Sequence, residues 1–180
     1  MKAIEAANFF IDLANSGDPE EDDGLTNMKL HKLLFFAQAI SLQKYGKPLF
    51  DDPIEAWTHG PVIPYIYRTF KANGRNSIPH PYGSYDRAGM SAAELDVLLD
   101  TYREYARYYT ASYLRNLTHQ PDTPWSMTKP GTIIPVSTIK TWAEQTQPSK
   151  AKKRTIPRSM IHTRRSAAGK LILPSEYQED

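Results

Sequence analysis

Cysteine is absent from the 180 residues. Its absence excludes disulfides, thiolate catalysis and Cys-ligated zinc, and it suits a reducing compartment. No stretch approaches the roughly 20 apolar residues that a membrane helix needs. At the N-terminus Glu5, Asn8 and Asp12 interrupt the apolar residues, so that segment reads as a helix and not as an export signal. The expected location is therefore cytoplasmic. Metal spacings are missing as well: none of His31, His59, His80, His119 and His162 stands in a His-x-x-x-His or Glu-x-x-His pattern. No Gly-rich loop ends in Lys-Ser/Thr, and no Gly-x-Ser-x-Gly elbow occurs. His119 and Asp122 come nearest to a catalytic pair, but turn hydrogen bonds after a helix account for them better. The expectation is a chain with no metal, no cofactor and no catalytic activity.

Hydrophobic residues make up 40% of the chain, enough to bury a core. Charge is uneven along it. Residues 1–147 hold 14 Lys/Arg and 17 Asp/Glu, whereas residues 148–180 hold 8 and 3. The division predicts a mildly acidic domain over 1–147 and a basic C-terminal tail over 148–180.

Periodicity within 1–147 is helical. Ala3, Ala6, Ala7, Phe10 and Ala14 share one face of a first helix that stops near Gly17 and Pro19, ahead of the acidic run 20–23. Thr26 caps a second, with Leu30, Leu33, Leu34, Ala37 and Ile40 on one face and Phe35 and Phe36 widening the stripe. Gly46 and Pro48 end it. On its polar side, among lysines, His31 reads as a surface or rim residue.

Ile54, Ala56 and Trp57 suggest a short extended piece. Pro61 and Pro64 suit the first turn of a short helix burying Val62, Ile66 and Phe70. Residues 74–90 read as turns. Ser91 to Glu94 is a capping box that starts a helix through Leu95, Leu98 and Leu99. Another restarts near Thr110 and ends before Pro121, and a last one spans about 137–146. The expected fold is mainly α: a compact helical domain with a short two-stranded β element.

Three segments together resemble the Panacea domain of SocA-like antitoxins. TNMKLHKLLFFAQAISLQKYGKPLF (residues 26–50) is similar to the family's Lys-Leu-rich helix and its Gly-x-Pro-Leu-Phe exit. IEAWTHGPVIPYIYRTFKANG (54–74) resembles the Glu-Ala-Trp-x-x-Gly-Pro-Val signature, the most specific of the three. LRNLTHQPDTPW (114–125) is similar to the family's Leu-Thr-His followed by Pro-Trp. The resemblance implies an antitoxin that neutralises a protein toxin by contact, with at least one branch presenting its toxin to a cytosolic protease.

The candidate partner-binding residues are Trp57, His59, Gly60, Pro61, Tyr65, Tyr67 and Arg68, because aromatic anchors beside a proline-built turn suit contact between proteins. For Trp57 and Pro61, holding the short helix against the long one is the stronger reading. Lys152, Lys153, Arg154, Arg164 and Arg165 are candidate tail contacts. A nucleic-acid-binding protein or a phage-encoded regulatory protein, acting through this tail, is the alternative. No recognition motif or aromatic platform accompanies the charge, which favours a solvated or toxin-contacting tail.

Overall fold

The computed structural model describes residues 1–16 and 24–146. The tail contacts at Lys152, Lys153, Arg154, Arg164 and Arg165, and the acidic run 20–23, lie outside the described residues. Within them the chain is mainly helical, with a two-stranded antiparallel sheet. The elements are α1 (Ala3–Asn15), α2 (Asn27–Tyr45), β1 (Glu55–Trp57), β2 (Gly60–Val62), α3 (Pro64–Phe70), α4 (Ala92–Thr101), α5 (Ala111–Thr118) and α6 (Val136–Thr146).

Helix α2 is the axis of the fold. Thr26 accepts a hydrogen bond from the Lys29 amide at its start, and Gly46, at φ +67°, donates to Leu42 O at its end. A left-handed residue there satisfies a terminal carbonyl at little cost to glycine. Side chains of α1, α3, α4, α5, α6 and β2 pack around it, so every residue from Lys29 to Leu42 is buried. Such a helix has no polar side. His31 is accordingly buried, 3% exposed, and not the rim residue that the neighbouring lysines suggested. Lys29 and Lys32 are buried with it. Gln38 turns burial to use: its Oε1 accepts from the Leu49 and Phe50 amides and its Nε2 donates to Phe50 O. That fixes the chain as it leaves α2, at residues 49–50.

The core runs through Phe9, Phe10, Leu30, Leu33, Leu34 and Ile40. Beyond Thr101 the helix of α4 widens into a π-turn at Tyr102–Ala106, and Tyr105 there stacks on Phe36 at 4.2 Å. The Ser91–Glu94 capping box forms as the spacing predicted. Its Glu94 also meets the N-terminal ammonium at 2.9 Å, tying α4 to the start of α1.

A second sequence expectation is corrected. Pro61 and Val62 belong to strand β2, and only Pro64 starts the short helix, at its first position. Both prolines fit helix N-termini equally well by local rules, and pairing with β1 decides between them. The register sets Glu55 against Val62, Ala56 against Pro61 and Trp57 against Gly60. Ala56 turns its amide and carbonyl outward, to Thr132 O and Gly131 N at 2.9 and 2.7 Å. The Ala56–Pro61 pair thus needs no amide from proline, which is where a strand tolerates that residue.

Candidate hairpin interface

The hairpin is held from below by α2. Lys32 extends under it and donates through Nζ to Pro61 O at 3.1 Å, and His31 Nδ1 accepts from the Ile63 amide at 3.3 Å. Gly60, at φ +105°, leaves the space this needs. A Cβ there would lie 2.6 Å from Lys32 Nζ and 3.0 Å from Thr118 Oγ1. Glycine is required twice over, by the backbone angle and by the close approach of the amine.

The electrostatics beneath the hairpin are unusual. Lys32 is 1% exposed, and burial, followed by the positive charge of Arg115, pulls its pKa down to about 7. Burial, then Lys32, pulls His31 down to about 3. A neutral imidazole and a readily deprotonated amine are what a low-dielectric site enforces on cations. His31 Nε2 and Arg115 Nε are buried without a hydrogen-bond partner.

From the side, α5 and the loop after it brace the turn. The Trp125 indole donates to Trp57 O at 2.8 Å. His119 packs on Trp125 with ring centroids 3.7 Å apart, and its nitrogens lie 2.7 Å from Arg115 O and 3.3 Å from Thr58 O. Thr123 Oγ1 donates to Thr118 O, closing the turn that follows α5.

The predicted interface residues separate into two groups. Gly60 and Pro61 are buried and act as scaffold. Trp57 and Tyr67 are half-buried and meet edge to face at 5.1 Å, while the Trp57 indole donates to Glu55 Oε2 at 2.7 Å. His59 at the tip, and Tyr65 and Arg68 on α3, are exposed, Tyr65 to 47%. Ile133, 57% exposed, lies on the stretch that pairs with β1. The structure thus brings an aromatic pair and a polar tip together on a braced hairpin. Sequence reasoning missed Lys32, Arg115 and the His119–Trp125 brace. A signal existed for the first: α2 carries lysines but no acid, so a buried lysine there finds no counter-ion on its own helix. Among the described residues no three His, Asp or Glu cluster as metal ligands, and no helix is long and apolar enough to cross a membrane.

The segments that build this face, from α2 through the hairpin to Trp125, coincide with a match to the family described as antitoxin SocA-like, Panacea domain, over residues 30–126. The chain belongs to that family. A relative described as Antitoxin SocA, from Caulobacter vibrioides (strain NA1000 / CB15N), is 43% identical over 74 residues. The alignment covers 41% of this chain, which spans only 37% of that relative's length. No solved structure matches the chain. In this Panacea domain the family match leaves out α1 and α6 and takes in α2 from Leu30, the hairpin, and α3 through α5.

Proposed function

We propose that this Panacea-domain chain is an antitoxin that neutralises a cognate protein toxin by direct, non-catalytic contact, and that the hairpin face makes that contact. The carrying observation is the family match, whose residues 30–126 include the hairpin and its braces. The geometry supports it. Trp57 and Tyr67 offer half-buried aromatic area that costs little rotamer entropy to immobilise, and the tip is pinned from two sides, which limits the ordering cost of association. Neutralisation follows either from covering the toxin's working surface or from handing the toxin to a cytosolic protease.

The test is co-expression in a bacterial host with the toxin encoded beside the chain. Toxin alone is expected to arrest growth, and the chain to restore it and to co-purify with the toxin. A harmless neighbour and no complex on mixing the purified proteins would end the antitoxin reading. Toxin abundance then separates the two modes: unchanged when the surface is covered, falling in a protease-dependent way when the toxin is delivered.

A further inference from the structure

The segments that form the hairpin, α3, α5 and the loop after α5 carry more bases than acids. Residues 55–75 and 111–133 carry Arg68, Lys71, Arg75, Arg115 and Lys129 against Glu55 and Asp122 alone, and Glu55 is already engaged by the Trp57 indole. This occurs in a region, residues 1–147, where acids outnumber bases. Directly beneath lies Lys32, whose amine finds one acceptor, Pro61 O. Arg115 on α5 is half-buried and close enough for its charge to act on Lys32, and its Nε is enclosed and unpartnered. Among the described residues the ion pairs involve the N-terminus, Lys44 and Lys140, and none reaches Lys32 or Arg115.

Buried donors are nearly always satisfied in folded proteins, and enclosed like charges lacking a counter-ion are costly. Elsewhere among the described residues, the enclosed N-terminal ammonium meets Glu94, and even the exposed Lys44 sits between Asp96 and Asp100. At the hairpin no carboxylate among the described residues fills that role.

We propose that the hairpin face is an electropositive recognition surface, and that the toxin presents an Asp or Glu carboxylate to Arg115 beside the Thr58–His59 turn. This rests on the antitoxin reading given above. A guanidinium takes a carboxylate in two parallel hydrogen bonds, which supplies orientation as well as attraction. The basic surroundings would steer an acidic partner segment toward the turn, and Trp57 and Tyr67 would then seat against its apolar neighbours.

The experiment has two arms. In the first, the chain alone is titrated with succinate, and with sodium chloride at matched ionic strength, while the arginine Nε–H resonances are followed by NMR. Arg115→Lys assigns the Arg115 signal. A saturable shift of that signal with succinate, absent with chloride, is expected. Equal responses to the two salts would overturn the site.

In the second arm the complex with the toxin is measured by calorimetry. Arg115→Gln is expected to weaken binding at least tenfold and to flatten its salt dependence. Arg115→Lys, which keeps the charge but loses the paired hydrogen bonds, should fall between that variant and the unaltered chain, and Lys140→Gln on α6 should bind as the unaltered chain does. Wild-type affinity in a folded Arg115→Gln variant would overturn the proposal while leaving the antitoxin reading standing. Failure of the unaltered chain to bind any toxin would overturn that reading instead, and the succinate arm would then decide the anion site by itself.

Discussion

The two flanks of α2 are finished to different standards. Toward α1 and α4 the polar groups are matched: Lys44 with Asp96 and Asp100, Met1 with Glu94, Ser91 with the Glu94 amide. Toward the hairpin a lysine, a histidine and an arginine crowd together, with two buried nitrogens unpartnered and no acid among them. The first flank is complete as it stands. The second carries an electrostatic cost in the isolated chain, which the proposed contact with an acidic partner would relieve. On that proposal, polar completeness separates the part of the fold that only has to be stable from the part that meets a partner.

The largest expected effect concerns the core both flanks share. Phe36 stacks on Tyr105 and lies beside Trp142, so Phe36→Ala should lower stability by about 3–5 kcal/mol, read by denaturant titration. A much smaller loss would mean that α2 is not the common support.

The second prediction isolates the hairpin flank by pH. With Lys32 near 7 folded and 10.5 as its ordinary value, the unfolded chain binds one more proton across that window. Stability should therefore rise as pH climbs from about 7 to 10.5, with a slope of up to about 1.4 kcal/mol per pH unit from this group. Below 7 both states hold the proton and this contribution levels off. His31 acts lower down: folded near 3 against 6.5, it costs stability as pH falls from 6.5 toward 3. Lys32→Met should remove the upper slope without a comparable loss of stability at pH 7, since an apolar side chain of similar volume needs no counter-ion. An unchanged slope in that variant would refute a depressed pKa at Lys32.

Gly60→Ala is expected to cost about 1–3 kcal/mol from the backbone angle and the crowded amine. The cost should shrink in a Lys32→Met background, and strict additivity would show that the two residues do not touch. The smallest effect belongs to the other flank. Ser91→Ala should lose about 1 kcal/mol of capping and leave toxin affinity where it was, as measured by thermal melts and calorimetry on the same samples.

How much of this was legible in the sequence depended on the range of the interactions. Thr26, Gly46, Ser91 and Thr110 cap helices through contacts three or four residues away, so those elements could be read directly. Pro61 was misassigned because its partner, Ala56, is chosen by strand pairing and not by local preference. His31 and Lys32 looked like a solvated stripe because the hairpin and α5 that cover them arrive from residues 60–63 and 115–118. The aromatic pair at Trp57 and Tyr67 was visible as composition, but its brace from Trp125 is set by contacts between segments far apart in the chain.

Hydrogen–deuterium exchange on the complex of this chain with its toxin bears most directly on where contact is made. Slowed exchange is expected at residues 58–68 and 115–125, with α1 and the first turns of α4 unaffected. Protection confined to α1 and α4, with the hairpin exchanging as in the free chain, would contradict the account.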